Sequence, residues 1–200
     1  MTQEYDKHDV ALLEKETVFQ GFFRMVKYRL KHKLFAGGWS EEMDREVFER
    51  GHAVALLPYD PQRDQVVMVE QFRVGAYIAG CAPWQMEIVA GIIEDGETPH
   101  DVALREAEEE AGLKVHALHD VTRYLSSSGG CTECLNIVVG EVDSKNAGGI
   151  HGLAEEHEDI RVHVVPRSTA YEWVDSGKIE NAASIIALQW LQLNYQKLQR

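Results

Sequence analysis

Four glutamates crowd into five residues near the end of one predicted helix: Glu106, Glu108, Glu109 and Glu110. Negative charge near a helix C-terminus opposes the helix dipole, and Glu106 and Glu110 are four residues apart on one face, where like charges repel. One interpretation is a solvated acidic face. The other is that cations fill this face, since Mg²⁺ takes several carboxylate oxygens together with water and a phosphate.

The residues around these glutamates follow a defined spacing. From Gly91, five residues lead to Glu97, and seven more lead to the run Arg105-Glu106-Ala107-Glu108-Glu109-Glu110-Ala111-Gly112-Leu113. This matches the Nudix box, G-x5-E-x7-R-E-U-x-E-E-x-G-U, in which U is usually a bulky aliphatic residue. Ala107 is smaller than usual at its U position, and every charged and glycine position agrees. On this motif the chain is identified as a member of the Nudix hydrolases.

The Nudix resemblance implies a metal-dependent site. In the family the box binds Mg²⁺ or Mn²⁺, which bridges diphosphate oxygens and activates water. The ligands implied by the match are the carboxylates of Glu106 and Glu110, with Glu109 in support and as a catalytic candidate, and the carbonyl of Ala90. Glu97 and Arg105 are expected to form an ion pair that holds the preceding loop to the helix.

Outside the box, residues from about 10 to 195 resemble the bacterial ADP-ribose pyrophosphatases. The matching stretches are 21–23, 45–52, 70–73, 83–84, 127–130, 150–160 and 177–184. This resemblance implies hydrolysis of the diphosphate bond of ADP-ribose to AMP and ribose 5-phosphate.

The same resemblance implies a homodimer that exchanges its N-terminal β units and shares its active sites. Phe22, Arg45 and Glu46 of one subunit would hold the adenine, and Arg73 of the other would reach the diphosphate. An aromatic face with an arginine suits a purine, and arginine suits phosphate oxygens. Taken without the resemblance, Phe22 would be a strand core residue and Arg45 a solvated strand residue.

An acidic loop at 153–159 is the second catalytic candidate. In the similar enzymes such a loop closes over the substrate, and one of its glutamates acts as general base on the attacking water. Glu156 is the first choice for this base and Glu158 the second. A solvated loop without a catalytic role is the plain alternative.

One departure from the resembled enzymes leaves the substrate open. Many ADP-ribose hydrolases carry a proline about fifteen residues past the box, and here Ser128 occupies that position. Another nucleoside diphosphate sugar, such as GDP-mannose or ADP-glucose, is therefore an alternative substrate. A third possibility, a module that binds ADP-ribose without cutting it, is disfavoured because such domains usually lose box carboxylates and none is missing.

Composition bounds the partners and the cellular location. The net charge of −13 disfavours nucleic acid and anionic membranes as partners. No stretch of about 18 apolar residues and no signal peptide is seen, so the cytoplasm is expected. Three cysteines argue against a disulfide framework, and Cys131 and Cys134 form a C-x-x-C pair without a second pair to complete a zinc site.

The order of predicted elements indicates an α+β fold. Strands are predicted at 16–35, 43–49, 53–57, 66–72, 84–93, 121–125, 135–142 and 160–165, with a turn at 58–64 and a long loop at 146–159. Helices are predicted at 99–111, 168–176 and 181–197. The chain is thus expected to form a Nudix fold, a mixed β-sheet sandwiched between helices (51–200), preceded by a small β-rich dimerisation domain (1–50).

Overall fold

The computed structural model describes residues 5–199, except for the side chain of Glu156. These residues group into two compact units. The first comprises the chain up to His52 together with Leu125–Cys134, and the second comprises Ala53–Tyr124 and the chain from Leu135 onward. The predicted domain boundary between residues 50 and 51 stays a prediction, as does the dimerisation role of the N-terminal part.

The first unit is built on a three-stranded antiparallel sheet. A short 3-10 helix, Lys7–Asp9, leads into strands β1 (Val10–Gln20), β2 (Arg24–His32) and β3 (Met43–Glu49), which lie in that order. Gly37 and Gly38, between β2 and β3, both have positive φ, which a residue without a Cβ adopts most readily. The predicted extended stretch at 16–35 is in fact two strands, because the chain reverses direction between Gln20 and Arg24.

The second unit contains a mixed eight-stranded sheet. Its strands are β4 (His52–Asp60), β5 (Gln65–Phe72), β6 (Trp84–Glu87), β7 (Val89–Ile93), β8 (Ala117–Leu125), β9 (Cys134–Glu141), β10 (Gly149–His151) and β11 (Ile160–Pro166). The main path runs β10-β11-β5-β4-β9-β8, while β6 pairs with β5 and β7 with β4. The β4–β9 pair is parallel, and the β5–β11 pair is antiparallel.

Helices cover both faces of this sheet. They are α1 (Val74–Ile78), α2 (Pro99–Ala111), α3 (Arg167–Asp175) and α4 (Ala182–Leu198). Successive residues of a strand point to opposite faces. Val54 and Leu56 of β4 accordingly pack in one core with α2, whereas Ala55 and Leu57 pack in another with α3 and α4. The predicted α+β Nudix architecture is confirmed.

Several further predictions of individual elements differ from the structure. The stretch predicted at 84–93 is two strands, β6 and β7, β8 begins at Ala117 instead of residue 121, and β10 lies within the loop predicted at 146–159. The turn predicted at 58–64 is shorter, because β4 continues through Asp60 and the reversal occupies only the residues before Gln65. Helix α1 was not predicted, since five residues carry too little periodicity to reveal a helix. The helix predicted at 99–111 is confirmed. Among the described residues no helix is long and apolar enough to cross a membrane.

Asp60 anchors the end of β4 through a set of donors. Its Oδ1 accepts from the amides of Gln62 and Arg63, at 2.9 and 3.1 Å. Its Oδ2 accepts from the Ser144 amide, the Ser144 hydroxyl and the Arg63 guanidinium, at 2.9, 2.8 and 2.8 Å. Burial by itself raises the pKa of this carboxyl, but the bonds from Ser144 and Arg63 outweigh it and lower the pKa to about 2. The folded protein therefore favours the charged form.

Asp60→Asn should lower the free energy of unfolding at pH 7 by roughly 2 kcal/mol or more, because an amide nitrogen would face donors. A carboxyl whose pKa falls on folding stabilises above its unfolded value, near 4, and that stabilisation disappears as the pH falls toward 2. The difference between wild type and variant should therefore shrink from pH 4 to pH 2. Urea unfolding at several pH values measures it. Asp143→Asn, at an exposed partner of Arg63, is the matched control, and an equal loss in both variants would contradict the prediction.

Candidate active site

Helix α2 positions the glutamates of the box. Thr98 caps its first turn by accepting from the Asp101 amide, and Gly112 ends it with a left-handed φ of 61°. Both ends are therefore fixed by local interactions. The small side chains along one stripe, Ala103, Ala107 and Ala111, are buried and let the helix lie close to the sheet. The carboxylates of Glu106 and Glu110 flank that stripe.

Glu110 is a buried carboxylate with a single backbone donor. Only 2% of the residue is exposed, and its Oε2 accepts from the amide of Ala90 on β7 at 3.1 Å. Its pKa is raised to about 8: burial is the main cause, the carboxylates of Glu106 and Glu158 add to it, and the Ala90 hydrogen bond and the charge of Arg73 oppose it. This hydrogen bond places the backbone of Ala90, the predicted carbonyl ligand, directly beside a predicted carboxylate ligand.

Glu106 lies against Gly91 of the same strand. A Cβ added to Gly91 would stand 2.1 Å from Oε1 of Glu106 and 2.5 Å from its Cδ, so only glycine leaves this side chain its position. Burial raises the pKa of Glu106 to about 7, Arg105 opposes the rise, and Glu109 and Glu158 add to it. The first glycine of the box thus makes room for one of its carboxylates.

Arg105 ties three acidic side chains together. Its Nη1 donates to Oε1 of Glu106 at 2.8 Å and to Oε2 of Glu109 at 3.0 Å, and its Nε lies 3.5 Å from Oε1 of Glu97. The predicted ion pair between Glu97 and Arg105 is therefore present. Glu108, in contrast, points to solvent. One guanidinium carries a single positive charge, so it offsets only part of the negative charge on this face.

The donor set fits a divalent cation. Glu110 is buried and Glu106 largely buried, and both pKa values are raised, so a positive charge beside the two carboxylates would stabilise their charged forms. Carboxylate oxygens are the ligands that hard divalent ions prefer. Among the described residues, no three His, Cys, Asp or Glu side chains are already gathered as a finished metal site. One oxygen of Glu106, Oε1, already accepts from Arg105.

Arg73 is held by a glutamate that the sequence did not reveal. Both Nε and Nη2 of Arg73 donate to Oε2 of Glu87, at 2.9 and 2.7 Å. Glu87 lies on β6, and its register partner on β5 is Val69, which packs in the α2 core. Arg73 and Glu87 therefore lie on the α2 side of the sheet. Only the pairing of two strands brings these residues together, so no local motif could have identified Glu87.

The acidic loop is closed at its base by reciprocal hydrogen bonds. The amide of Glu158 donates to the carbonyl of Leu153 at 3.2 Å, and the amide of Leu153 donates to Oε2 of Glu158 at 3.2 Å. A 3-10 turn, Ala154–Glu156, lies between them, followed by His157 with a positive φ of 57°. The Glu158 charge raises the pKa values of Glu106 and Glu110. The side chain of Glu156, the first choice for the base, lies outside the described residues.

The residues predicted to hold the adenine belong to the first unit. Phe22 is 88% exposed, and its ring contacts that of Phe23 edge-on, with 4.7 Å between centroids. Phe22 is therefore not a strand core residue. Arg45 and Glu46 are both exposed on β3, the edge strand of the three-stranded sheet. Because Arg45 and Glu46 are neighbours on a strand, their side chains project to opposite faces of the sheet. Both can contact one ligand if that ligand binds at the edge of the strand.

The stretch around Ser128 forms a tight turn in the same unit. The amides of Gly130 and Cys131 both donate to the carbonyl of Ser127, at 3.1 and 2.9 Å. Ser128 therefore lies inside a hydrogen-bonded turn, and it restricts the backbone there less than a proline would. Cys131 is half-buried and Cys134 buried, and neither forms a disulfide within the described part of the chain.

The NUDIX domain model matches residues 49–188 of the chain. Among curated proteins, the chain is 57% identical over 194 residues to an ADP-ribose pyrophosphatase of Escherichia coli (strain K12), covering 97% of this chain and 93% of that protein. It is 49% identical over 201 residues to an ADP-ribose pyrophosphatase of Haemophilus influenzae, covering 99% and 93%. A GDP-mannose pyrophosphatase of Cronobacter sakazakii is 33% identical over 188 residues, covering 92% and 96%.

A solved structure described as an ADP compounds hydrolase shares the fold. It superposes with a TM-score of 0.73 at 18% identity, covering 98% of this chain and all of that one. At this identity the likeness bears on the fold alone. The family model spans most of the chain, and the box residues that it describes lie together on α2 and β7. The chain belongs to the NUDIX-domain family.

Proposed function

We propose that this protein hydrolyses the diphosphate bond of ADP-ribose and releases AMP and ribose 5-phosphate. The observation that carries the proposal is a pair of carboxylates, Glu110 buried and Glu106 largely buried, set against β7 with Arg73 nearby. Such a site suits a cation and a phosphate. The identities of 57% and 49% to ADP-ribose pyrophosphatases support the choice of substrate.

We propose that Mg²⁺, or Mn²⁺ in its place, is the cofactor. Glu106, Glu110 and the Ala90 carbonyl would hold it, with Glu109 in support. When bound, a divalent ion supplies charge neutralisation on the diphosphate and lowers the pKa of a coordinated water. The protein's part is to hold two carboxylates close together in fixed positions. Gly91 does this sterically for Glu106, and the Ala90 amide does it by hydrogen bonding to Glu110.

We propose that Arg73 binds a phosphate oxygen and that a glutamate of the acidic loop takes the proton from the attacking water. Arg73 already offsets negative charge at Glu110, so its guanidinium acts on the same side as the metal carboxylates. Glu158 acts electrostatically on both carboxylates in the described conformation. Glu156, two residues earlier on the same closed loop, remains the first choice for the base, and Glu158 the second.

We propose that Phe22, Arg45 and Glu46 hold the base of the substrate. The exposed ring of Phe22 offers a face for stacking, and Arg45 and Glu46 offer a donor and an acceptor at an open strand edge. GDP-mannose is the second candidate substrate, favoured by the 33% identity to a GDP-mannose pyrophosphatase and by serine at residue 128. The cytoplasmic location stays a prediction.

The first experiment measures the release of AMP and ribose 5-phosphate from ADP-ribose, with Mg²⁺ and with a chelator. We expect Mg²⁺-dependent cleavage that is faster than that of GDP-mannose or ADP-glucose. Phe22→Ala should raise the KM for ADP-ribose and change kcat less, because Phe22 would contact the base and would take no part in the reaction itself. Cleavage of GDP-mannose in preference to ADP-ribose would overturn the adenine assignment while keeping the metal site, and cleavage in the chelator would overturn the metal.

Gly91→Ala should impair metal binding, because the new Cβ would displace the carboxylate of Glu106. Changes to residues that orient metal ligands typically cost about 10- to 100-fold in affinity or activity. Calorimetric titration with Mn²⁺, together with turnover of ADP-ribose, measures both. Glu106→Gln provides the comparison, since it removes the ligand charge without a steric change, and both variants should lose turnover.

Gly75→Ala is the matched control for Gly91→Ala. A Cβ at Gly75 would meet no atom within 4 Å, and its φ is not in the left-handed region. This variant should keep wild-type turnover and Mn²⁺ affinity. If Gly91→Ala behaved like Gly75→Ala, the assignment of Glu106 as a ligand would be wrong.

We propose that the protein is a homodimer. The first unit presents an unusual number of apolar side chains to solvent, among them Leu12, Phe19, Phe22 and Phe35, at 57, 65, 88 and 95% exposed. Exposed apolar surface on this scale is typical of a subunit interface. Sedimentation equilibrium should give twice the chain mass of 22.6 kDa. A monomer at micromolar concentration would remove the dimer.

A further inference from the structure

We propose that Glu87 is the positioning residue of Arg73, and that it decides which edge of the guanidinium meets the diphosphate. The inference rests on the proposed function, because it assumes that Arg73 binds phosphate. Glu87 itself would touch neither the substrate nor the metal. It would act through the orientation and the charge of its partner.

The contact between the two side chains is two-pronged. Nε and Nη2 of Arg73 both donate to one carboxylate oxygen, Oε2 of Glu87. A guanidinium has five N–H donors in one rigid plane. Glu87 occupies the edge that contains Nε, which leaves the edge formed by the two terminal nitrogens. That remaining edge is the one that can form two parallel hydrogen bonds to phosphate oxygens.

The backbone of Arg73 is fixed independently of its side chain. Its amide donates to the carbonyl of Pro83 at 2.7 Å, and its carbonyl accepts from the amide of Tyr77 at 3.1 Å. These bonds hold the Cα atom between the end of β5 and the start of α1. An arginine side chain nevertheless has large rotamer freedom, so a fixed Cα does not fix the guanidinium. The carboxylate of Glu87, whose side chain is only 15% exposed, provides the second fixed point.

The strand register places this pair on the face of the sheet where Glu106 and Glu110 lie. Glu87 lies opposite Val69, a residue of the core that β5 shares with α2. Glu70, the next residue on β5, lies opposite Met86, which packs in the core on the other face. The Arg73–Glu87 pair is thus on the same side of the sheet as Glu106 and Glu110.

Two physical effects of Glu87 oppose each other. Its negative charge repels an anionic diphosphate, so removing it would favour substrate binding. Its hydrogen bonds preorganise Arg73, so removing it would require binding to order a mobile side chain. Because two hydrogen bonds hold the guanidinium and the carboxylate is already neutralised by it, we expect the loss of preorganisation to dominate.

The test is a double-mutant cycle on ADP-ribose hydrolysis with Mg²⁺. Glu87→Ala should raise KM by about tenfold and lower kcat much less, because a misplaced binding group costs affinity first. Glu87→Gln should have a smaller effect, since its amide oxygen still accepts from the guanidinium. In the Arg73→Ala background, Glu87→Ala should add less than about twofold.

Glu70→Gln is the matched control. Glu70 is also a half-buried glutamate, paired with Arg161 at 3.5 Å and hydrogen-bonded with His163 at 2.8 Å, but it lies on the opposite face of the same sheet. Its variant should keep wild-type KM and kcat. Thermal unfolding midpoints of all variants check the fold, and Glu87→Gln keeps the test informative if Glu87→Ala does not fold.

Two outcomes would overturn the inference: a fall in KM for Glu87→Ala, or losses that add in the double variant. The proposed function fails separately, if wild type does not cleave ADP-ribose. In that case ADP with Mg²⁺ is the probe, because ADP contains the diphosphate group that Arg73 is proposed to bind. Its dissociation constant, measured by calorimetry in the same variants, then tests Glu87. Equal affinities in wild type and Glu87→Ala would then reject it.

Discussion

The close packing of α2 on β7 is the constraint on which the candidate site depends. Alanines on the helix and a glycine on the strand bring the two backbones near enough that the Glu110 carboxylate reaches the Ala90 amide. The same approach leaves no room for a Cβ at Gly91 beside Glu106. Burying two like charges is costly, and ordinary core packing would place apolar residues there. The sequence instead keeps carboxylates at these positions, which suits the divalent cation that we propose.

The distribution of positive charge completes this picture. The chain carries a net charge of −13, so an anionic substrate meets a repulsive protein unless local cations intervene. Arg105 and Arg73 stand on the α2 side of the sheet, yet each is already paired, with the box glutamates and with Glu87 respectively. The divalent ion that we propose would add positive charge beyond that of these two paired arginines. Arg73 would then contribute the orientation of its hydrogen bonds to phosphate more than its charge, because planar hydrogen bonding is what distinguishes arginine from a point charge.

The sequence predicted those parts of the fold whose causes are local. Helix α2 was predicted with its boundaries because Thr98, Pro99 and Gly112 mark its ends by their own conformational preferences. The end of β4 was predicted too early, because Pro58 and Asp60 resemble turn residues. Asp60 instead accepts five hydrogen bonds from groups around Ser144 and Arg63. Ser144 is more than eighty residues away in the sequence, so no local pattern reveals its contacts. The partner of Arg73 was missed for the same reason, since only the register of β5 with β6 brings Glu87 to it.

The residues proposed for chemistry and those proposed for base recognition differ in how the fold holds them. Glu110 is buried and Glu106 is largely buried, so a change there alters the charge of an enclosed site. Phe22, Arg45 and Glu46 are exposed on a small sheet, where substitutions usually change stability by less than about 0.5 kcal/mol. Base preference can therefore change by substitutions that leave the core intact, whereas the reaction cannot. A family member at 33% identity that bears the name of a GDP-mannose pyrophosphatase is what this asymmetry leads one to expect.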